Sequence, residues 1–245
     1  MAIDLERHGH VLVVTLNRPE VANAMDPETM AAFGTALTDA EHDDDVRVVV
    51  ITGAGDRAFS AGMDLKAFAA GERPEDGPGL DVLMRRVYPK PTIAAVNGAS
   101  VAGGFELMLA CDLVVAAEHA RFGIAEVKRG LVAAGGGTTL PARIPMAVAL
   151  ELGLTGELID APRALRLGLV NRVVPAPSLM HEALALANQI AQNGPLAIRV
   201  TKQLMYQAAA TTDWDEIHRA VLPVFESDDA REGAVAFAEK RLPRW

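Results

Sequence analysis

The segment Thr92-Ile-Ala-Ala-Val-Asn-Gly-Ala-Ser-Val-Ala-Gly-Gly-Phe-Glu-Leu-Met-Leu-Ala110 passes from an apolar strand pattern, through a glycine-containing turn, into a helical pattern. Its first five residues form a nearly continuous apolar run, which is typical of strands that are buried on both faces. Three similar runs occur elsewhere in the chain, at His10–Leu16, Val46–Thr52 and Asp112–Ala116. Because helices must cover both faces of such strands, the sequence predicts an α/β fold.

The chain divides into two regions by pattern. A helix is expected at Pro27–Glu41, with Asp26 as its N-cap and proline in the first helical position. A further helix is predicted from Ser178 until Gly194-Pro195 ends it. Beyond it follow three helical patterns, at Leu196–Ala209, Asp213–Phe225 and Asp228–Arg241. We therefore predict an α/β core over residues 1–194 and an all-helical region over 195–245, which packs either on its own core or between subunits.

Composition excludes several classes of protein. Half of the 245 residues are apolar, which argues against disorder, and the net charge of −9 with no basic stripe argues against a nucleic-acid partner. A single cysteine, Cys111, cannot form an internal disulfide and fits a reducing compartment. The first residues lack a signal-peptide pattern, and the longest weakly charged stretch contains Glu106 and Asp112. We expect a soluble cytoplasmic protein with no membrane partner.

The most informative polar side chain is Glu106, which is the only charged residue between Pro91 and Cys111. A carboxylate on such an apolar helix is expected to be desolvated, which makes it a candidate site residue. Gly103-Gly104 leaves the backbone N–H groups at the start of this helix accessible to a ligand oxygen. These residues predict a site that stabilises an oxyanion and moves a proton. Gly135-Gly-Gly137 is a second place where backbone could approach a ligand, although a plain turn is the favoured interpretation.

Two other motifs have weaker functional interpretations. Gly53-Ala-Gly-Asp-Arg-Ala58 matches a dinucleotide-binding fingerprint, but no second strand with an acidic end follows it, so a turn is favoured. Gly98–Ala102 lies where the nucleophile elbow of a hydrolase would lie, but no histidine stands in a recognisable loop setting. His8 and His10 could share one face of a strand; nothing else in the sequence indicates a metal site, and none is predicted.

Five ordered motifs resemble one known family. They are Ala58–Lys66, Asn97–Leu107, Phe122–Leu131, Ala133–Arg143 and Glu232–Arg241. With them the chain resembles the enoyl-CoA hydratase/isomerase (crotonase) family from end to end. The resemblance implies a spiral of ββα units with a C-terminal all-helical trimerisation region, and assembly into a homotrimer or hexamer. It also implies acyl-CoA or enoyl-CoA thioesters as substrates, with coenzyme A as part of the substrate and no separate cofactor.

The resemblance also assigns roles to residues. It implies an oxyanion hole from the backbone N–H groups of Met63 and Gly103, and an acid–base pair of Glu106 and Glu126, with Glu126 activating the water. Contacts to the CoA ester are implied for Ala22, Ala24, Ala61, Asp64, Leu65, Lys66, Gly104, Gly135, Phe237 and Lys240. Ala22 stands where the family often has a basic residue that meets a phosphate, which leaves Lys66 and Lys240 to meet the CoA charges.

Retention of both glutamates favours reversible hydration of a 2-enoyl-CoA. The residues Ala102–Glu106 and Met63–Lys66 look closer to the carnitinyl-CoA dehydratase branch, so acyl specificity stays open at this point. Isomerisation of the double bond is a sister activity on the same fold. A non-catalytic acyl-CoA-binding protein is the alternative from a different class.

Overall fold

The structure is a computed structural model of the chain. It describes residues 2–72, 79–84 and 87–210, together with Arg219, Pro223, Ser227, Asp228, Ala230, Glu232, Ala236, Glu239, Arg241 and Arg244. In these residues the strands are β1 Ile3–His8, β2 Val11–Leu16, β3 Val48–Gly53, β4 Ala58–Ser60, β5 Thr92–Val96, β6 Ala99–Val101, β7 Leu113–Ala117, β8 Arg121–Gly123, β9 Ile159–Asp160 and β10 Arg172–Val174. The α-helices are α1 Pro27–His42, α2 Leu65–Ala69, α3 Asp81–Met84, α4 Gly103–Ala110, α5 Met146–Thr155, α6 Ala161–Arg166, α7 Leu179–Ala191 and α8 Pro195–Ala210.

The strands form two sheets. The six-stranded sheet has the order β1-β2-β3-β5-β7-β10, in which β1 is antiparallel to β2 and the other neighbours are parallel. The four-stranded sheet has the order β4-β6-β8-β9. Consecutive strands therefore alternate between the sheets: β3 and then β4, β5 and then β6, β7 and then β8. Helices follow β4 and β6, so each turn of the chain is a ββα unit, and the predicted crotonase-like spiral is confirmed.

The six-stranded sheet is buried on both faces, as its sequence predicts. Every residue of β3 and β5 is buried. On the outer face, Val48, Val50 and Ile93 pack against α7, whose small residues Ala183 and Ala187 allow the helix to approach closely. On the inner face the alternate residues of the same strands join the main core between the two sheets, which includes the larger side chains of Phe33, Phe59, Phe105 and Phe122.

Helix α1 begins as its sequence predicts. The Asp26 carboxylate accepts a hydrogen bond of 2.9 Å from the N–H of Thr29, and Pro27 occupies the first helical turn. Hydrogen bonds from Thr29 and the charge of Arg18 lower the pKa of Asp26, although burial acts in the opposite direction. The four strand predictions agree with β2, β3, β5 and β7 to within two residues at each end.

The helices α7 and α8 agree with the two predictions that fall on them. The helical patterns at Asp213–Phe225 and Asp228–Arg241 lie almost entirely outside the described residues, as do Phe237 and Lys240. The division into a core over 1–194 and a helical region over 195–245 therefore stays a prediction. None of the described helices is long and apolar enough to cross a membrane.

Candidate active site

A cavity of about 870 Å³ opens between the start of α4, the helices α2 and α3, and the 3-10 helix Glu126–Arg129. The segment Leu131–Thr139 forms part of its wall. Seven residues that the sequence singles out line this cavity: Ala61, Met63, Leu65, Gly103, Glu106, Glu126 and Gly135. The fold thus brings together, in one cavity, residues from four motifs that are far apart in the chain.

Two backbone N–H groups lie side by side in this cavity. Met63 sits in a short parallel bridge with Met25, in which Met25 donates to Gly62 O at 2.7 Å and Asp64 donates to Met25 O at 2.9 Å. The N–H of Met63 therefore points away from Met25. A Cβ added at Gly103 would lie 3.5 Å from Met63 N. Neither N–H donates a hydrogen bond to any residue that the structure describes, so both remain available to a ligand oxygen.

The turn into α4 is held in an unusual conformation. Ala102 has φ 52° and ψ −130°, a region that L residues rarely adopt. The next turn packs directly on β4, because a Cβ added at Gly104 would lie 2.1 Å from Ser60 O. Gly104 is therefore required for this close approach rather than for a contact with the cavity, which it does not line. Packing of backbone on backbone fixes where the Gly103 N–H points.

Glu106 lies on α4 with its side chain almost fully buried, at 6% exposed. Its Oε1 atom accepts hydrogen bonds of 2.8 Å from the backbone N–H groups of both Gly135 and Gly137. Gly135 and Gly136 lie in a turn, as the sequence predicts, and the N–H groups of Gly135 and Gly137 also hold this carboxylate. Because both N–H groups donate to Oε1, the second carboxylate oxygen, Oε2, can bind a further partner.

Glu126 is the first residue of the 3-10 helix that follows β8. Both of its carboxylate oxygens are buried, and neither has a hydrogen-bond partner among the described residues. Burial raises the pKa of Glu126, and the negative charge of Glu106 raises it further. An unsatisfied buried carboxylate is costly in a folded protein and is therefore a strong indication of function.

Three of the residues for which a contact with the CoA ester is predicted have partners within the protein, and their contacts with the CoA ester stay predictions. The Asp64 carboxylate accepts from Lys66 N at 3.0 Å, which caps α2, and lies 3.3 Å from Arg18 Nη1. Ala22, with φ 56°, accepts the N–H of Ala61 through its carbonyl, and Ala24 accepts Arg18 Nη1 at 2.7 Å. None of Asp64, Ala22 and Ala24 lines the cavity. Lys66 is exposed on α2 and does not line it either.

The role of Arg18, and the hydrogen bond from Gly137 to Glu106, are the features that sequence reasoning missed. Arg18 joins Asp64 to Asp26, and so connects both sides of the bridge that orients the Met63 N–H. Its partners lie far from it in sequence, and the local pattern contains no signal for them. For Gly137, the lone carboxylate on an apolar helix was the signal, because such a group needs hydrogen-bond donors nearby.

The other interpretations considered from the sequence do not fit the geometry. Ser100 is fully buried and donates to Gly104 O at 3.0 Å, so it cannot act as the nucleophile of a hydrolase.

Gly53–Ala58 is a turn between β3 and β4, held by Asn97, which donates to Gly55 O at 2.8 Å. Since no helix follows the turn, it is not a dinucleotide-binding loop. Among the described residues, no cluster of three or more histidine, cysteine or acidic side chains could hold a metal ion.

The family model for enoyl-CoA hydratase/isomerase matches residues 6–245 of the chain. The chain belongs to the enoyl-CoA hydratase/isomerase family. A carnitinyl-CoA dehydratase of Salmonella typhi is 43% identical over 257 residues, covering 100% of this chain and 98% of the relative. Family members with solved structures have a similar sequence identity to this chain. An enoyl-CoA hydratase of Mycobacterium tuberculosis H37Rv has a TM-score of 0.95 and 45% identity over 100% of this chain and 98% of its own. A carnitinyl-CoA hydratase of Mycobacterium avium has a TM-score of 0.81 and 44% identity at the same coverage.

These comparisons confirm three expectations from the sequence: membership of the enoyl-CoA hydratase/isomerase family, its fold, and a hydro-lyase of the hydratase or dehydratase type. Enoyl-CoA hydratases and carnitinyl-CoA enzymes of the family have nearly the same sequence identity to this chain. Similarity alone therefore does not decide the acyl group.

Proposed function

We propose that this enzyme adds water reversibly to the C2=C3 double bond of a 2-enoyl-CoA thioester. Glu106 and Glu126 form the acid–base pair, and the N–H groups of Met63 and Gly103 form the oxyanion hole. The observation that carries the proposal is the buried, unpartnered carboxylate of Glu126, which lines the same cavity as Glu106 and the two free N–H groups.

In this reaction the oxygen of water bonds to C3 while negative charge develops on the thioester oxygen. Two preorganised N–H donors stabilise that charge, and each contributes on the order of 100- to 1,000-fold to the rate. A proton leaves the water and a proton is added at C2, so the overall reaction needs no cofactor. Positioned acid–base groups contribute roughly 100- to 10,000-fold.

The different environments of the two glutamates support different roles. Burial raises the pKa of Glu126, so its ionised form is a stronger base than a solvated carboxylate, and we assign to it the proton from water. Glu106 is held through Oε1 by two backbone donors, which leaves Oε2 to orient the water and to share in delivering the proton at C2. Because the two carboxylates are coupled, their titration belongs to the pair.

Coenzyme A is the proposed carrier of the acyl group. Lys66 on α2 is exposed beside the residues of the cavity and can meet a CoA phosphate. Lys128 and Arg129 line the cavity; Lys128 is paired with Glu157 at 2.7 Å, and Arg129 adds a further positive charge there. Lys240, and Phe237 one turn before it, remain proposed contacts from the C-terminal region, from the chain's own tail or that of a neighbouring subunit. That the enzyme works in the cytoplasm remains a prediction from its single cysteine.

A homotrimer or hexamer is the proposed assembly. In support, Met146, Leu150 and Leu154 form a stripe along one face of α5 and are 58%, 49% and 74% exposed. Val132 beside them is 73% exposed. Large apolar side chains grouped in this way are costly in water and are typical of subunit interfaces. Light scattering of the wild type and of Leu154→Lys tests the assembly; a wild type that is a fully active monomer would contradict it.

The activity is tested by incubation with crotonyl-CoA, octenoyl-CoA and crotonobetainyl-CoA, followed at the absorbance of the enoyl thioester. Hydration of at least one of them is expected, with strong loss in Glu126→Gln and none in Glu118→Gln, whose glutamate is exposed and lies outside the cavity. Tight binding of CoA esters with no turnover would instead support the non-catalytic alternative. Movement of the double bond without addition of water would indicate an isomerase.

A further inference from the structure

A second cavity, of about 300 Å³, lies on the far side of Glu106 from the oxyanion hole. Met84, Glu106 and Gly135 line both cavities, so these residues form the partition between them. A Cβ added at Gly135 would lie 2.6 Å from Met84 Cε and 2.7 Å from Glu106 Oε2. Gly136 and Thr139 line both cavities as well. At Gly135 the partition contains only a glycine without a side chain, the end of a flexible methionine and the Glu106 carboxylate, so we expect rotation of Met84 to open a passage there.

The wall of the second cavity is apolar near the partition and polar beyond it. Leu83, Val87 and Leu109 provide the apolar part, which suits methylene groups of an acyl chain. Farther on, the cavity is lined by Asp112, Lys202, Tyr206 and Arg143. An acyl group that ended in a methyl would leave this polar end without a matching partner.

The charge of Asp112 is already balanced within the protein. Its carboxylate accepts from Thr92 N at 2.7 Å, from Lys202 Nζ at 2.6 Å and from Tyr206 OH at 2.9 Å. Asp112 and Lys202 are both largely buried, at 16% and 9% side-chain exposure, so they form a neutral pair. Neither is available to a ligand of either charge.

Arg143 is the positive charge that remains. Among the residues that the structure describes, its guanidinium has no ion pair and no hydrogen-bond partner. It lies close enough to Tyr206 for its charge to oppose the rise that burial causes in the pKa of the Tyr206 hydroxyl. At the polar end Asp112 and Lys202 balance each other, so the exposed Arg143 adds one positive charge beside the Tyr206 phenol; Glu106, the second acidic residue of the cavity, lies at the partition.

We propose that the second cavity binds the distal end of the acyl group, and that this end carries a carboxylate, paired with Arg143. The proposal rests on the function proposed above, because it makes the substrate an ω-carboxy 2-enoyl-CoA. A trimethylammonium group, as in a carnitinyl thioester, would meet Arg143 and the paired Lys202 at the polar end, because Glu106, the other carboxylate of the cavity, lies at the partition. The proposal therefore predicts an acyl specificity different from the one named for the carnitinyl-CoA relatives, which are 43–44% identical to this chain.

Binding of saturated acyl-CoA esters tests this without requiring turnover. By calorimetry, adipoyl-CoA is compared with hexanoyl-CoA, suberoyl-CoA with octanoyl-CoA, and γ-butyrobetainyl-CoA with butyryl-CoA. The dicarboxylic ester of at least one length is expected to bind about tenfold or more tightly than its alkyl partner, as for one charge-assisted hydrogen bond. The trimethylammonium ester is expected to bind more weakly than butyryl-CoA.

Arg143→Gln is expected to abolish the preference, since it removes the charge and keeps a polar side chain of similar reach. Arg166→Gln is the matched control, because Arg166 is an exposed arginine on α6 that does not line the cavity. Equal dissociation constants for dicarboxylic and alkyl esters at both lengths, or a preference that survives in Arg143→Gln, would overturn the proposal. Failure of the proposed function appears separately, as absence of hydration by the wild type of both 2-hexenoyl-CoA and its ω-carboxy counterpart, 2-hexenedioyl-CoA.

Discussion

Glu106 Oε1 accepts the backbone N–H of Gly137 at 2.8 Å, and thereby connects α4 to the loop that closes one wall of the cavity. The bond uses one carboxylate oxygen as an acceptor and does not require the charge. A side-chain amide oxygen in the same position could accept it equally well. The structural and catalytic roles of Glu106 can therefore be separated by a single substitution.

Glu106→Gln is expected to lower the hydration rate by about 100-fold or more, because an amide cannot exchange a proton with the substrate. Its melting temperature is expected to stay near that of the wild type, since the amide oxygen retains both backbone donors. Glu106→Ala, which leaves those N–H groups without their acceptor, is expected to lose stability as well as rate. A Glu106→Gln enzyme with a near wild-type rate and a shifted melting temperature would show that Glu106 is structural only.

Glu126→Gln is expected to raise the melting temperature at about pH 7 while abolishing most activity. Burial raises the folded-state pKa of Glu126 above 4.5, so the folded protein favours the protonated form. The stability that comes from this protonation is present below pH 4.5 and is lost as the pH rises through the folded-state pKa. The neutral glutamine avoids that loss. Calorimetry at several pH values measures the melting temperatures of both proteins. The gain in melting temperature from Glu126→Gln is expected to vanish in acid. A lower melting temperature of Glu126→Gln at pH 7 would contradict this explanation.

The pH profile of kcat/KM is expected to have an acidic limb at a pH above the ordinary glutamate value of 4.5, because the base must be ionised and burial raises the pKa of Glu126. The charge of Glu106 contributes to that rise, so in Glu106→Gln the limb of the residual activity is expected to move to lower pH. Glu118→Gln serves as the control and should leave the limb in place. A limb that moved to higher pH in Glu106→Gln would exclude this coupling.

Gly103→Pro tests the oxyanion hole directly. Gly103 is the first residue of α4, a position where proline is tolerated in helices, so the substitution removes the N–H with limited damage to the helix. The rate is expected to fall by about 100-fold or more. Gly103→Ala is the matched comparison, since it keeps the N–H and adds a Cβ 3.3 Å from Gly62 Cα. Similar rates for the proline and alanine variants, with both proteins folded, would remove Gly103 from the oxyanion hole.

Much of the fold could be predicted because its central strands are apolar runs long enough to be recognised. The strands β4, β6 and β8 have three residues each, which is too short for a periodic pattern, and they were missed. Their pairing in a second sheet depends on contacts between distant segments. The antiparallel strand β1 was missed as well, because five of its six residues are not buried and four are polar or charged.

For the site, Glu106 stood out in the sequence because a charged residue on an apolar helix is conspicuous. Glu126 did not, since it precedes two basic residues in what reads as a polar surface turn, and it was identified through the family resemblance. The direction of a backbone N–H is not encoded by residue type. For that reason the sequence does not reveal Gly137 as a partner of Glu106, nor that Arg18 and the start of α2 engage Asp64, whose contact with the CoA ester stays a prediction.

Consecutive strands alternate between the two sheets, and this affects the stage of folding at which the enzyme is expected to become active. Met63 follows β4 and Gly103 follows β6, so the two proposed oxyanion donors belong to successive turns of the spiral. Neither turn contains the site on its own, and the donors face each other only after β4 and β6 have paired. A refolding chain that has regained its local helices thus has no activity. Recovery of turnover reports the late, long-range closure of the second sheet rather than the early formation of helices.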